Sequence, residues 1–421
     1  MKNQANLPGS RSFSRATTKE TSSHHPSNSN KGTPEPTFNP KTNLNSSRFL
    51  ILNHLKGSAA APPSNSNPEK TEKPESKDSK VVDTSESSTA KQVQKEINNL
   101  LNFDSYPDLD PTLPAHLLLV VHGVGAKPDI LLMNLLKIRN AINMVRKTKM
   151  NQLRAPIIIK MIDWKSALAL EAKEKIEKIT LRSNKRQRIV LNEVPTDLLF
   201  YLTEDHAVSI INEVAHQANY YHDQMSDKFP GLKVSILAHS LGSIICYDLI
   251  TGNKKKQFPD RIKSINFPIE DFFIIGSPLG LFISLTPMEL NLLDKSGLVK
   301  GFYNIFHPND LVAYRLEPLI SSYPDLDPSE IPYMKNDGFK SHTKKKFNEK
   351  LKELQGAFDS ALIASLTRYD YVLQEGLIEN MFETIGILGG HWGYWESTDL
   401  FYFIMKKLHF KDDGPPIPSH L

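Results

Sequence analysis

One short stretch, residues 234–245 (VSILAHSLGSII), constrains the fold more than any other part of the chain. Its first four residues are apolar or small and predict a buried strand, and apolar residues with helical spacing follow from residue 244. Between the two lies the turn His239-Ser240-Leu241-Gly242. A sharp strand–turn–helix unit places its central serine at the edge of a sheet, with the hydroxyl exposed. The stretch therefore predicts a sheet flanked by helices.

The same turn predicts chemistry, because it resembles the turn that presents the nucleophile in α/β-hydrolases. There Ser240 is the nucleophile, and the backbone N–H of Leu241 donates to the oxyanion that develops on the substrate. The usual pattern is Gly-x-Ser-x-Gly, and Ala238 takes the place of its first glycine. Alanine keeps the side chain small, which is the main requirement there. The alternative is an ordinary strand-to-helix turn that happens to contain serine and glycine.

Composition excludes several classes of protein. The chain has 421 residues, 39% of them hydrophobic and 23% charged, as expected for a globular protein with a large domain. A net charge of +4 without a basic helix interleaved with aromatics does not favour nucleic acid as a partner. The single cysteine, Cys246, excludes internal disulfides and cysteine-based zinc sites and favours a reducing compartment. No stretch approaches the roughly 18 apolar residues of a membrane span.

Composition also divides the chain. Residues 1–95 are rich in Ser, Asn, Pro, Thr and Lys and predict a disordered, low-complexity tail. The first 20 residues have basic and hydroxyl side chains but no acid before Glu20, which leaves mitochondrial import as a minor possibility. Residues 96–410 are expected to form the catalytic domain, and residues 411–421 a flexible tail.

Strand and helix patterns alternate within the predicted domain. Strands are predicted over 116–121, 156–163, 233–237, 271–276 and 302–306. Helices are predicted over 129–150, 206–227, 240–251 and 397–408, and an amphipathic helix over 347–362. This alternation predicts an α/β fold, specifically an α/β-hydrolase fold with a mainly parallel sheet and helices on both faces.

Residues outside the serine turn complete a predicted active site. The loop His122-Gly123-Val124-Gly125 follows an early strand, and an amide of Val124 or Gly125 is expected to complete the oxyanion hole. The alternative, a phosphate-binding loop, lacks a third glycine and a Lys-Ser/Thr pair.

The general base and its acid are expected further along the chain, in the order serine, acid, histidine. His391 lies in a glycine-framed loop before the last predicted helix and is the candidate base. Asp310 follows a predicted strand and is the candidate acid; Asp370 and Asp271 are the alternatives. His239, next to Ser240, is given only a structural role.

With these residues in place, a family resemblance emerges over residues 115–409. The sequences that carry it are VVHGVG (120–125), DWKS (163–166), VSILAHSLGS (234–243), FIIGSPLG (273–280), NIFHPNDLVAYRLEPL (304–319), RYDY (368–371) and HWGYWESTD (391–399). They resemble the intracellular, phosphatidic-acid-preferring phospholipase A1 family and its DDHD domain, here at about residues 265–410. The four residues that name that domain correspond to Asp310, Asp370, His391 and Asp399.

The resemblance implies a serine esterase that cleaves the sn-1 acyl ester of glycerophospholipids, with phosphatidic acid as the expected substrate. It agrees with a Ser240–His391–Asp310 triad that requires no cofactor, with Asp370 and Asp399 as supporting groups. A divalent metal ion held by Asp310, Asp370, His391 and Asp399 is the alternative, because three carboxylates and an imidazole are suitable ligands. Arg315 is a candidate for the lipid phosphate; the alternative is a salt bridge to Glu317 or Asp310.

These interpretations fix the expected partners. A phospholipid at a membrane surface is the expected substrate, reached by transient peripheral contact from the cytoplasm with intracellular membranes. The competing function is a non-catalytic lipid- or protein-binding trafficking factor on the same fold.

Overall fold

The computed structural model describes residues 110, 112–168, 170–181, 183, 196–286, 290–321, 323, 326–335, 367–374 and 390–410. The two predicted tails and the predicted amphipathic helix over residues 347–362 lie outside these ranges.

The described residues form one sheet of seven parallel strands, in the order β2-β1-β3-β4-β5-β7-β6. The strands are β1 (His116–Val121), β2 (Ile157–Ile162), β3 (Lys233–His239), β4 (Ile269–Ile275), β5 (Val299–Phe306), β6 (Ser329–Glu330) and β7 (Asp370–Val372). All five predicted strands are confirmed. The other two, β6 and β7, have two and three residues, too few to produce an alternating pattern that sequence reasoning can detect.

The α-helices connect and cover these strands. They are α1 (Pro128–Lys149), α2 (Leu170–Ile179), α3 (Glu204–Ser226), α4 (Leu241–Thr251), α5 (Asn253–Gln257), α6 (Leu279–Leu285) and α7 (Thr398–His409). Residues 196–202 form a further helical segment, and 3-10 turns span Trp164–Ala167, Glu317–Leu319 and Gly393–Glu396. The four predicted helices of the described region are confirmed with ends within two residues.

The sheet separates two apolar layers, as the two-residue period of a strand requires. In β1, Leu117 and Leu119 pack in the layer that contains α3 and α4, whereas Leu118 and Val120 pack in the layer that contains α1 and α7. A sheet buried on both faces needs strands that are apolar throughout, and all six side chains of β1 are buried. The predicted α/β class, with a parallel sheet and helices on both faces, is confirmed.

Helix ends follow local sequence signals. Pro128 begins α1, where its missing N–H costs nothing, and Arg146, Lys147 and Lys149 occupy the last turn beside the negative end of the helix dipole. The hydroxyl of Ser397 caps α7 by accepting a hydrogen bond of 3.2 Å from the amide of Leu400. Among the helices that the structure describes, none has both the length and the apolar character required to cross a bilayer.

Candidate active site

The turn between β3 and α4 holds Ser240 in a backbone conformation that is rare for a residue with a side chain. Its φ is 53° and its ψ −126°, and in the described part of the chain it is the one non-glycine residue with positive φ. Strain of this kind costs about 1–3 kcal/mol, so the surrounding structure has to hold it in place. The amide of Ser240 donates to the carbonyl of Ile275 (3.0 Å), and the amide of Ser243 donates to the carbonyl of Ser240 (3.0 Å).

Gly242 allows α4 to start against the end of β1. A Cβ atom at this position would lie 2.5 Å from the carbonyl oxygen of His122 and 2.7 Å from that of Val121. Both distances are too short for any side chain, so the second glycine of the predicted motif is required to avoid a steric clash.

Ser240, His391 and Asp310 form one hydrogen-bonded chain across the carboxyl edge of the sheet. The Ser240 Oγ lies 3.1 Å from the His391 Nε2, and the His391 Nδ1 lies 3.0 Å from both carboxylate oxygens of Asp310. All three residues are buried. Because a carboxylate faces Nδ1, that nitrogen carries the proton and Nε2 is left to accept one from the serine hydroxyl. Asp271, the alternative acid, instead lies within β4, paired with Gly301 of β5.

The Asp310 carboxylate receives further donors. The Tyr394 hydroxyl donates to Oδ2 (2.7 Å), and the amide of Val312 donates to Oδ1 (2.9 Å). Burial tends to raise the pKa of Asp310, but the hydrogen bond and charge of His391, together with Tyr394 and Val312, hold this pKa below its ordinary value. The carboxylate is therefore ionised at neutral pH and keeps the imidazole in one orientation.

Gly276, which follows β4, makes room for this acid–base pair. Its φ is +55°, and a Cβ atom there would lie 2.7 Å from the Asp310 Oδ2, 2.9 Å from the Tyr394 Cε2 and 3.2 Å from the His391 Nδ1. The position combines a left-handed backbone, which favours glycine, with a close approach by the acid, which leaves no room for a Cβ atom.

The predicted loop at His391 is instead a helical turn over residues 390–392, and His239 contacts it directly, which was not predicted. Its Nε2 donates to the His391 carbonyl (2.8 Å), and the centroids of the two rings are 4.6 Å apart. Burial, followed by the nearby His391, lowers the pKa of His239 to about 3, so the ring stays neutral at physiological pH. The structural role expected for His239 is therefore to hold the backbone at His391. The one sequence signal for this role was the position of His239 directly before Ser240.

Both expected oxyanion-hole segments lie next to Ser240: Leu241 follows it in the chain, and a Cβ atom at Gly123 would lie 2.7 Å from the Ser240 Cβ. Leu241 is the first residue of α4, where a helix offers no internal acceptor for the amide. In the other segment, the Gly125 amide donates to the Asp197 Oδ2 at 2.8 Å, whereas within the described residues no acceptor is found for the Val124 amide. This geometry favours Val124 over Gly125. Asp197 had no recognisable signal, because it lies outside every motif.

Asp370 is fully buried and bonded to the backbone of a neighbouring loop. Its carboxylate accepts from the Asn304 Nδ2 (2.9 Å) and from the amides of Leu316 (2.9 Å) and Glu317 (3.0 Å). Burial, only partly offset by these bonds, raises its pKa. These contacts give Asp370 a structural position, in which it holds the loop at Leu316 and Glu317.

Arg315 pairs with Asp370, a partner that was not predicted. Its Nε lies 3.4 Å from the Asp370 Oδ2, and its Nη2 donates to the Leu326 carbonyl. The partner expected as an alternative, Glu317, instead forms a two-pronged ion pair with Arg368 at 2.9 and 2.8 Å. Arg315 thus forms a structural ion pair, with Asp370 in place of Glu317 or Asp310, and its contact with a lipid phosphate stays a prediction.

The four residues that suggested a metal ion occupy separate places. Asp310 contacts His391, and Asp370 binds the loop at Leu316. Asp399 lies in the first turn of α7, where its carboxylate accepts a hydrogen bond of 2.9 Å from the Met334 amide. In the ranges that the structure describes, no three His, Cys, Asp or Glu side chains are arranged to hold a metal ion. The oxygens of Asp370 are already occupied by N–H donors, so this set does not fit a shared metal site.

Comparisons with known proteins identify one matching domain family and several relatives. The model of the DDHD domain family matches residues 265–366 and 341–409. Human phospholipase DDHD1 is 26% identical over 285 residues, covering 52% of this chain and 31% of the human protein. Intracellular phospholipase A1 of Caenorhabditis elegans is 27% identical over 263 residues, covering 49% and 31%. Mouse triacylglycerol hydrolase DDHD2 is 22% identical over 481 residues, covering 71% and 68%.

The chain spans about a third of the length of the first two relatives (31% of each). No solved structure matches. The domain match and the names of these relatives support a similarity of this chain to DDHD-containing phospholipases.

Proposed function

We propose that the chain is a carboxylic ester hydrolase that acts on lipids through Ser240, His391 and Asp310. The observation that carries this proposal is the 3.1 Å contact between the Ser240 Oγ, on its strained turn, and an imidazole nitrogen whose partner nitrogen faces a carboxylate. A serine activated by an oriented base is the arrangement that nucleophilic ester cleavage needs.

In the first half of the reaction, the Ser240 Oγ attacks the ester carbonyl carbon while the His391 Nε2 takes the hydroxyl proton. Asp310 stabilises the imidazolium that forms. The amides of Leu241 and Val124 donate to the oxyanion of the tetrahedral intermediate, and loss of one such donor costs about 10²–10³ in rate. The intermediate then expels the alcohol, which receives the proton from His391, and leaves an acyl group on Ser240.

In the second half, water repeats the attack. His391 takes a proton from the water, a second tetrahedral intermediate forms, and its collapse returns the proton to the Ser240 oxygen. The products are a free fatty acid and the regenerated enzyme. No step requires a metal ion or other cofactor.

The proposed substrate is a glycerophospholipid, cleaved at the sn-1 ester, with phosphatidic acid preferred. The resemblance to phosphatidic-acid-preferring enzymes supports this choice, as does the printed name of the worm relative, a phospholipase A1. The printed name of the mouse relative, a triacylglycerol hydrolase, makes a neutral glyceride the competing substrate.

Apolar side chains beside the acid and the base support a lipid substrate. Leu311, directly after Asp310, is 70% exposed, and Trp392, directly after His391, is 52% exposed. Tyr314 is also exposed. Exposed apolar groups around a site are typical of contact with an apolar surface, and aromatic rings suit the membrane–water interface. We therefore propose transient, peripheral contact with intracellular membranes from the cytoplasm, with mitochondrial import as the lesser alternative.

An active-site-directed fluorophosphonate tests the nucleophile. The wild type should label, Ser240→Ala should not, and Ser209→Ala should label normally. Ser209 is the matched control because its exposed hydroxyl only donates to the Asp205 carbonyl within α3. Labelling that survives in Ser240→Ala would contradict the assignment.

A lipid panel then tests the substrate. Vesicles of phosphatidylcholine doped with phosphatidic acid, and emulsions of triacylglycerol, are incubated with wild type, Ser240→Ala and Ser209→Ala, and the released fatty acid and lysolipid are identified. Faster release from the sn-1 position of phosphatidic acid is the expected result. A folded wild type that neither labels nor releases fatty acid would favour a non-catalytic lipid- or protein-binding trafficking factor.

A further inference from the structure

The loop His122–Gly125 is held by side chains from a segment with no assigned role, Asp163–Lys165. The fully buried Trp164 is the main contact: its indole Nε1 donates to the His122 carbonyl (2.9 Å). Its ring also stacks on the His122 ring, with centroids 4.9 Å apart and planes 16° apart. One side chain therefore fixes both the backbone and the side chain of the first loop residue.

Lys165 holds the other end of the loop through Asp197. A single carboxylate oxygen, the Asp197 Oδ2, accepts from the Lys165 Nζ and from the Gly125 amide, each at 2.8 Å. Asp197 is buried, and a buried carboxylate is costly to leave without partners. Lysine and loop amide together satisfy that charge, so their positions are coupled.

The segment that supplies these contacts is itself anchored to α3. The Gln217 side chain, fully buried, accepts from the Asp163 amide (3.0 Å) and donates to the Asp163 carbonyl (2.9 Å). The Asp163 side chain lies 3.9 Å from the His122 Nε2. The loop is thus tied through Asp163–Lys165 to a long helix of the core.

A fixed loop matters because oxyanion stabilisation depends on donors that do not reorganise during the reaction. The loop lies outside strands and helices, so it lacks their hydrogen-bond ladder. A misplacement of about 1 Å in such a site can cost about 10² in rate.

We propose that Trp164, Lys165 and Asp197 are positioning residues for oxyanion stabilisation. They fix the loop at His122 and Gly125, the residues on either side of the Gly123–Val124 peptide, so that the Val124 amide serves the oxyanion together with Leu241. Because the Gly125 amide donates to Asp197, the Val124 amide is the one in this loop that is left to donate to the oxyanion. The inference rests on the proposed ester hydrolysis.

The test uses the full chain with p-nitrophenyl butyrate, a soluble ester, and the fluorophosphonate, whose phosphoryl oxygen occupies the oxyanion site. Asp197→Ala removes the acceptor, Asp197→Asn keeps an oxygen for the Gly125 amide, and Trp164→Phe keeps the stacking but loses the N–H donor. The matched control is Glu270→Ala, which removes another buried carboxylate paired with a lysine, Lys300, at the amino end of β4.

Asp197→Ala should lower kcat and the labelling rate by about 10–100-fold with KM within about twofold, because the lost interaction acts on the transition state. Asp197→Asn should recover at least part of kcat, and Trp164→Phe should lose about 3–10-fold, as expected for a shifted donor. Glu270→Ala should lower the melting temperature at least as much as Asp197→Asn and leave kcat unchanged.

Two outcomes would overturn this inference and leave the proposed hydrolysis intact. One is full kcat in both Trp164→Phe and Asp197→Asn. The other is a loss of kcat that follows the loss of melting temperature across all variants, including Glu270→Ala. These comparisons do not depend on Asp197→Ala, so they hold even if that variant fails to fold. A wild type inert towards both the ester and the probe would overturn the proposed hydrolysis, and the inference with it.

Discussion

Replacing Gly276 by alanine should separate catalytic geometry from stability. Gly276 has a φ of +55°, and a Cβ atom there would lie 2.7 Å from the Asp310 Oδ2 and 3.2 Å from the His391 Nδ1. Gly297 has a comparable φ of +73°, but a Cβ atom there would meet nothing within 4 Å. The two substitutions therefore introduce the same backbone strain, and only one of them disturbs the acid–base pair.

The expected magnitudes follow from these distances. A left-handed φ costs a residue with a side chain about 1–2 kcal/mol, so Gly297→Ala should lose about that much unfolding free energy. Gly276→Ala adds overpacking of about 1–3 kcal/mol. Carbon and oxygen in favourable contact stay about 3.3 Å apart, so Asp310 has to move by roughly 0.6 Å. A displacement of that size should lower kcat by about 10–100-fold.

The assay combines urea unfolding with kcat and KM on p-nitrophenyl butyrate for the wild type and both variants. Gly297→Ala should be destabilised yet fully active, and Gly276→Ala should be more destabilised and slow. Wild-type kcat in Gly276→Ala would refute the reasoning, because it would mean that Asp310 and His391 tolerate displacement. An equal loss of kcat in Gly297→Ala would show that strain alone impairs the site.

Three further predictions follow. Tyr394→Phe removes the 2.7 Å hydrogen bond to Asp310 and should raise the pKa of that carboxyl and lower kcat about 3–10-fold, measured as a pH–rate profile. Burial, and next the charge of His116, lowers the pKa of His409 from 6.5 to about 3 in the folded chain. Between pH 3 and pH 6.5, therefore, His409 is protonated in the unfolded chain and neutral in the folded one. Unfolding free energy should therefore fall as pH drops from about 6.5, by up to about 1.4 kcal/mol per pH unit for this group, and His409→Gln should flatten the slope in urea titrations at pH 7 and pH 5. Trp392→Ala should slow hydrolysis of vesicle lipid but not of the soluble ester; equal losses on both substrates would place this side chain in the acyl pocket instead of at the membrane.

The central part of the fold was predictable because its signals are local. β1 is a short, mostly apolar run, β3 a short run of apolar and small residues, and α3 a long amphipathic pattern, so strand and helix were recognisable from run length and period together. Ser240 stood out because few sequences satisfy a strand, a small-residue turn and a helix in succession. The two missed strands are held by pairing with distant residues, such as Asn304 with Asp370, which no local pattern encodes.

The candidate site was predictable only where a residue has a motif or a loop of its own. Asp310 and His391 were identified from chain order and flanking residues, and they do contact each other. The contacts of Asp197, His239 and Tyr394 were not predicted, because nothing in the local sequence points to their partners 72, 152 and 84 residues away. The metal site weighed as an alternative shows the converse: four residues that name a domain in sequence have separate binding partners in the fold.

The order in which the elements are synthesised has a consequence for the cell. The nucleophile precedes its base by 151 residues, and the base is followed by α7, which packs against α1. During translation, therefore, Ser240 emerges long before His391, its proposed base. Under the proposed mechanism, the nascent polypeptide acquires activity only after His391 has been synthesised and α7 has packed against α1.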